Sequence, residues 1–276
     1  MSLPFESSDQ PSDQSSDPGS ELLPRMKLLP DVLDDVRLVA TDMDGTLTRR
    51  GYFSADLMAA LQALQGANIH VLVVTGRSAG WVNGLVSYLP IAGAIAENGG
   101  LFFSSEDDYR LIADLGNLPE HRQKLTATFQ HLKGTFPNLR EALDNAFRFS
   151  DWTFDVSGLS QPDLAELQHQ CQSEGWSFTY SNIQCHIKPA RQDKATALQH
   201  VLAEDFPGIS PQSVITIGDS LNDESLFNPA VFPRSVGVAN LREVSDRLTY
   251  TPTYITAGSE VDGFCELTKA ILANCG

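Results

Sequence analysis

The chain has 276 residues, 42% hydrophobic and 20% charged, enough to bury a large core in one big domain or two smaller ones. Glycine (20) and proline (15) stand at ordinary levels, which excludes a collagen-like or wholly disordered chain. A net charge of −16 argues against nucleic-acid and anionic-membrane partners, which need a basic footprint; an anionic ligand would require a local reversal of the field by a metal or a placed cation.

Residues 1–24 are rich in Ser, Asp, Pro and Gln and carry five acids (Glu6, Asp9, Asp13, Asp17, Glu21) and no base. Such a composition cannot offset its ordering entropy, so residues 1–26 are expected to form a disordered acidic tail. The start lacks the basic and apolar blocks of a secretory signal, and no run of 18 apolar residues marks a membrane span. Four cysteines (171, 185, 265, 275) show no zinc spacing and are read as thiols of a reducing, cytoplasmic setting.

An apolar run over 36–41 reads as a strand ending at Asp42. Leu57, Met58, Leu61 and Leu64 predict a helix over 54–66. Residues 69–74 read as a second strand, ending at Thr75-Gly76-Arg77. Trp81, Leu85 and Leu89 then mark a helical face that stops at Pro90, and Ala94-Ile95-Ala96 is a third strand, ending at Glu97-Asn98-Gly99-Gly100. Continuous apolar strands alternating with helices predict a doubly wound α/β core with a buried parallel sheet. Ligands bind such sheets at the strands' carboxyl ends, where the three polar clusters fall.

The stretch 101–188 reads as an inserted α+β layer, with strands near 109–113, 147–155, 177–181 and 183–188 and helices near 120–133 and 161–173. Along 183–188, Ile183, Cys185 and Ile187 share one face and Gln184, His186 and Lys188 the other. Trp152 and Trp176 are expected in that layer's core. The core is expected over 27–100 and 189–276, with a helix opening at Lys194, strands at 214–217 and 235–238, and a closing helix at 261–273.

In extended backbone Asp42 and Asp44 point the same way, and two such carboxylates either bind a cation or keep a proton. Mg²⁺ suits an oxygen-rich acidic cluster, although Asp-Gly also signals a simple turn. Gly218-Asp219-Ser220-Leu221-Asn222-Asp223 follows another apolar strand. Asp219 is placed to complete a metal site, with Asn222 and Asp223 on the next turn to orient it; a helix cap is the plainer alternative. Thr75-Gly76 at a helix start suits phosphate oxygens, or an ordinary cap. Lys194 lies against the helix dipole, which an adjacent anion would offset.

The four clusters, Asp-x-Asp-Gly-Thr at 42–46, Thr-Gly-Arg at 75–77, Lys194 and Gly-Asp-x-x-Asn-Asp at 218–223, resemble in order and placement the signature of the haloacid dehalogenase superfamily. The resemblance covers about 36–273. The long insertion resembles the type IIB caps of the Cof-like branch, Glu97-Asn98-Gly99-Gly100 resembles the mannosyl-3-phosphoglycerate phosphatases within it, and the chain as a whole is similar to these and to the sucrose-phosphate phosphatases.

The resemblance implies an Mg²⁺-dependent phosphatase of a small phosphorylated metabolite, such as a sugar phosphate or glycosyl-phosphoglycerate. Asp42 would be the nucleophile and form an aspartyl-phosphate, and Asp44 the acid and base. Asp42, the Asp44 carbonyl and Asp219 would hold Mg²⁺, supported by Asn222 and Asp223. Thr75, Gly76 and Lys194 would grip the phosphoryl group. Arg148, His186, Lys188 and Arg191 are candidate substrate contacts from the insertion, and a monomer or homodimer is expected. The sequence departs from the family with Ala195 where Gly often follows the lysine, and with Arg191 where a small residue is frequent. A phosphomutase of the same fold and a receiver-like phospho-accepting module remain as alternatives; Asp44 and the insertion count against the second.

Overall fold

The computed structural model describes residues 26–104, 108–181 and 183–273. The expected tail, except for Met26, lies outside the described residues, as does Cys275.

The central strand β2 (Leu38–Thr41) pairs in parallel with β3 (His70–Val74) on one side and β10 (Val214–Gly218) on the other. Beyond β3 lies β4 (Gly93–Ala96); beyond β10 lie β11 (Ser235–Gly237), β12 (Tyr254–Ile255) and β1 (Lys27–Leu28), all parallel. The apolar runs conceal a two-residue period. Val71 and Val73 face the layer of α1 (Ala55–Gly66), α2 (Ala79–Tyr88) and α6 (Glu260–Leu272), while Leu72 and Val74 face α5 (Lys194–Asp205). Both faces are covered, so each of these strand residues is buried, as a doubly wound sheet requires. Ser54 caps α1 by accepting from Leu57 N at 3.3 Å, and Asp193 caps α5 by accepting from Thr196 N at 2.9 Å.

The sequence placed 101–188, with a strand near 109–113, in the inserted layer. Instead β5 (Leu101–Ser104) and β6 (Tyr109–Leu111) turn back antiparallel and extend the core sheet past β4. Gly99, at φ +107°, makes this return; a Cβ there would lie 2.4 Å from the Asp193 carbonyl oxygen. The reversal sends Phe102 and Phe103 into opposite faces of the core.

The inserted layer follows β6. Its sheet has the order β7 (Trp152–Asp155), β9 (Gln184–Pro189), β8 (Trp176–Tyr180), all antiparallel. Helices α3 (Leu118–Thr135) and α4 (Gln161–Ser173) cover one face. The strand expected from 147 starts only at Trp152, because 143–147 form a 3-10 turn and 148–151 an irregular stretch that contacts the core. Cys185 and Ile187 enter the cap core, and Trp152 and Trp176 pack there as expected. Among the described residues, no helix is long and apolar enough to cross a membrane.

Phe129 of α3 is 1% exposed, with ring centroids 6.0 Å from Trp152 and 5.6 Å from Phe154. Phe129→Ala removes one of the side chains that join α3 to this sheet and is expected to cost about 3–5 kcal/mol, read by urea unfolding of the full chain.

Candidate active site

Strands β10, β2, β3 and β4 are neighbours, so the residues at their carboxyl ends, Asp219, Asp42, Thr75 and Glu97, line up along one edge of the sheet. Lys194 begins α5, which packs against that edge's neighbouring core. Its ammonium is 2.6 Å from Asp42 Oδ1 and 2.6 Å from Asp223 Oδ1, and all three side chains are buried. Burial opposes the lysine's charge, but Asp223 and Asp42 outweigh it and hold the pKa above the usual lysine range. These carboxylates are the anions that offset the unfavourable helix dipole.

Asp42, Asp219 and Asp223 bring carboxylate oxygens within 4.8 Å of one another. Burial, then repulsion by Asp223, pushes the Asp42 carboxyl up to about 7 against the pull of Lys194. Asp219 is likewise raised well above the carboxylate range, by burial first and then by Asp42 and Asp223. Asp219 Oδ2 accepts from Asn240 Nδ2 at 3.0 Å, but Oδ1 is buried without a hydrogen-bond partner. Three buried carboxylates against one ammonium, one with an orphaned oxygen, form a hard-oxygen set suited to a small divalent cation. Gly45, at φ +82°, lets the turn after β2 approach Asp219: a Cβ there would sit 2.3 Å from Asp219 Oδ2.

The Asp44 side chain stands outside this cluster. Arg77 holds it from two sides, Nε at 2.8 Å from Oδ2 and Nη2 at 2.6 Å from Oδ1. The same guanidinium lies 5.5 Å over the Trp81 ring. Trp81, expected on the apolar face of α2, is therefore 42% exposed beside the site, and Ala79, Val82 and Leu85 supply the buried face. Asp223 also shapes the turn after β10, since its Oδ2 accepts from Asp219 N at 3.0 Å and Ser220 N at 3.1 Å. Asp223 thus braces the turn through one oxygen and meets Lys194 through the other. Asn222 donates to Asn98 Oδ1 at 3.3 Å, and Thr75 Oγ1 accepts from Arg77 N at 3.1 Å.

These groups open into a cleft of about 320 Å³ between the two layers. The core side presents Asp42, Asp44, Thr75, Gly76, Asp219 and Asn222; the cap side presents Ser181, Ile183, Gln184 and His186. Of the four expected cap contacts, only His186 lines it. Arg148 is a buried strut whose guanidinium donates to Gly76 O (2.9 Å), Asp151 (2.9 Å), Asp144 (2.8 Å) and Gln184 (3.3 Å). Lys188 is also buried and donates to Gln192 O, and Arg191 is exposed away from the cleft. The reason is shared: a long cation at the cap hinge reaches the nearest buried acceptor or water before it reaches the cleft.

Sequence reasoning assigned no role to Arg77, Glu97, Asn98 or Asn240. Glu97 and Asn98 both hold positive φ, +54° and +53°, at the end of β4. The buried Glu97 carboxylate accepts from Ala79 N (3.0 Å), Phe149 N (3.1 Å), Ser150 N (2.7 Å) and the Ser150 hydroxyl (2.7 Å). Gln192, on the returning link, donates to Ser150 Oγ at 3.0 Å and to Glu97 O. The carboxylate therefore ties α2 to the 148–151 stretch of the cap, and Gln192 brings the returning link to the same place. Burial, then Asp151, holds the Glu97 pKa above the carboxylate range. The available signal was Glu-Asn-Gly-Gly directly after a strand, a cluster that demands unusual backbone.

Comparison with known proteins agrees with this geometry. The family model described as haloacid dehalogenase-like hydrolase matches residues 39–133 and 117–266. The phosphoglycolate phosphatase of Methanothermobacter thermautotrophicus is 26% identical over 242 residues, covering 86% of this chain and 99% of its own length. That of Metallosphaera sedula is 29% identical over 209 residues, covering 74% and 87%. Protein 0175 of Thermoplasma acidophilum superposes with a TM-score of 0.68 at 22% identity, over 85% of this chain and 97% of that one. A subclass IIB sugar phosphatase shares the fold at 12% identity, with a TM-score of 0.63 over 85% and 98% of the two chains. With its motifs at adjacent strand ends and the family model spanning both layers, the chain belongs to the haloacid dehalogenase-like hydrolases.

Proposed function

We propose that the protein is an Mg²⁺-dependent phosphatase of a small phosphorylated metabolite, acting through an aspartyl-phosphate on Asp42. The observation that carries this reading is the buried Asp42 carboxylate, which faces the cleft with Lys194 on one oxygen and Asp219 and Asp223 beside it. Asp42, Asp219 and the Asp44 main-chain carbonyl would hold the ion, with Asp223 and Asn222 fixing their positions. When bound, Mg²⁺ offsets the charge of the carboxylates and of the phosphoryl oxygens.

Asp42 attacks phosphorus while Thr75, Gly76 and Lys194 receive the equatorial oxygens. Asp44 gives a proton to the leaving oxygen and then takes one from the water that cleaves the aspartyl-phosphate. Arg77 must release Asp44 for the first of these steps. The cap excludes bulk water and limits size: about 320 Å³ lies at the low end of ligand cavities, roughly 300–1,000 Å³. A short phosphorylated acid, as the names of the phosphoglycolate phosphatases suggest, or a small sugar phosphate fits that space. Cys171, Cys185 and Cys265 are unpaired, which accords with a reducing, cytoplasmic setting.

Hydrolysis of a generic aryl phosphate with Mg²⁺ is the direct test. Asp42→Asn is expected to lower kcat on the order of 10³-fold or more; equal rates in both proteins would remove Asp42 from its role.

The raised Asp42 pKa gives a stability test. The folded state keeps the proton up to about 7, whereas the unfolded chain releases it near 3.8, so folding binds more protons in that interval. Stability of the metal-free protein should therefore fall as pH rises from about 4 to 7. Melting temperatures measured across that interval are expected to drop without Mg²⁺. Added Mg²⁺ is expected to raise them far more at pH 8 than at pH 5, because cation and proton compete for the same carboxylates.

A further inference from the structure

Asn240 lies in the 3-10 turn Ala239–Glu243 that follows β11, and its side chain meets three parts of the core. Its Nδ2 donates to Asp219 Oδ2 at 3.0 Å and to Gly45 O at 3.1 Å, so both amide hydrogens are used. Its Oδ1 accepts from Glu260 N at 2.9 Å. The Glu260 carboxylate in turn accepts from Arg50 N at 3.1 Å, in the turn at the mouth of the cleft. The Asn240 amide is thus held from three sides. It cannot turn away from Asp219 without breaking its bonds to Gly45 and Glu260.

Hydrogen bonds occupy most of the carboxylate oxygens in the acidic cluster. Lys194 takes Asp42 Oδ1 and Asp223 Oδ1. The amides of Asp219 and Ser220 take Asp223 Oδ2, and Asn240 takes Asp219 Oδ2. Among the described residues, Asp42 Oδ2 and Asp219 Oδ1 are the oxygens of the cluster left without a hydrogen bond. Asp219 is 5% exposed, so its orphaned oxygen carries a cost that a ligand would remove. Two adjacent strand ends therefore offer one oxygen each, not the pair that a free carboxylate presents.

Carboxylates that give one oxygen each suit Mg²⁺, which demands a tight octahedron and fills its other positions with water or phosphate oxygens. Ca²⁺ is larger, takes about 6–8 oxygens and accepts both oxygens of a carboxylate. The geometry points to Asn240 as the residue that selects between these cations: its hold on Asp219 Oδ2 limits Asp219 to a single donor oxygen and so favours Mg²⁺ over Ca²⁺. This rests on the Mg²⁺ reading proposed above and deepens it, because the choice of cation is assigned to an uncharged positioning residue that acts through Asp219. Lys194 sets the same limit on Asp42, but its charge also balances the cluster. Asn240 is neutral, so its replacement by an apolar side chain alters the geometry and leaves the charge unchanged.

The test is calorimetric titration of the full chain with Mg²⁺ alone and with Ca²⁺ alone, at pH 8 and without phosphate. Asp219→Asn marks the heat that belongs to this site. Asn240→Leu deletes all three hydrogen bonds at similar size. Asn240→Asp deletes both donors but keeps an acceptor for Glu260 N; its added charge draws both divalent ions, so the ratio of the two dissociation constants is the readout. In both variants that ratio is expected to move toward Ca²⁺ by about tenfold or more relative to wild type, the scale of one charge-assisted hydrogen bond. A purely structural role in holding the Glu260 turn predicts a lower melting temperature for Asn240→Leu and a wild-type ratio in Asn240→Asp, and that ratio overturns the inference. Wild-type binding of both ions by Asp219→Asn also overturns it. Should Asn240→Leu fail to fold, Asn240→Asp decides by itself. A wild-type protein that binds neither ion overturns this inference together with the Mg²⁺ dependence of the proposed function. The expected ratios in a protein that hydrolyses no ester support the inference and count against the phosphatase reading alone.

Discussion

The site depends on one electrostatic arrangement: the Lys194 ammonium buried between Asp42 and Asp223, with Asp219 beside them. Four ionisable groups at the ends of buried strands would be untenable singly, because burial opposes each charge. Together they are balanced in part, one ammonium against three carboxylates. The remaining negative charge is what raises Asp42 and Asp219 and makes the cluster receptive to a hard cation. A chain of net charge −16 can thus draw in an anion only where this cluster has been neutralised.

The second constraint is mechanical. Glu97 holds α2 against the 148–151 stretch of the cap, and Gln192, on the link that returns to the core, joins them through Glu97 O and Ser150 Oγ. The polar contacts beside this stretch, Arg148 to Asp151 and Gly76, are buried away from the cleft, so they carry position rather than selectivity. Side chains on β9 and the turn before it are the ones that line the cleft. This division explains why the charged residues nearest the cap junction are not those in the cleft.

Much of this was legible in the chain. The strands at 38–41, 70–74 and 214–218 read directly as apolar runs ending in acids or hydroxyls, because both sheet faces are covered. Lys194 was legible from its conflict with the helix dipole, and its partners resolve that conflict. What misled was the antiparallel return of β5 and β6, since pairing direction has no local signature. Arg148, Lys188 and Arg191 misled for a related reason: composition shows that a cation is present, not which buried acceptor it reaches first.

The sequence by itself therefore determined the sheet's buried strands, the placement of reactive residues at their ends and the family they belong to, because strand periodicity and motif order are local properties. Tertiary structure alone decided that Asp44 rests on Arg77 and that Glu97 receives the amides of the 148–151 stretch. Those contacts join residues 33 and 53 positions apart, and only the packing of two layers sets which polar atoms end paired.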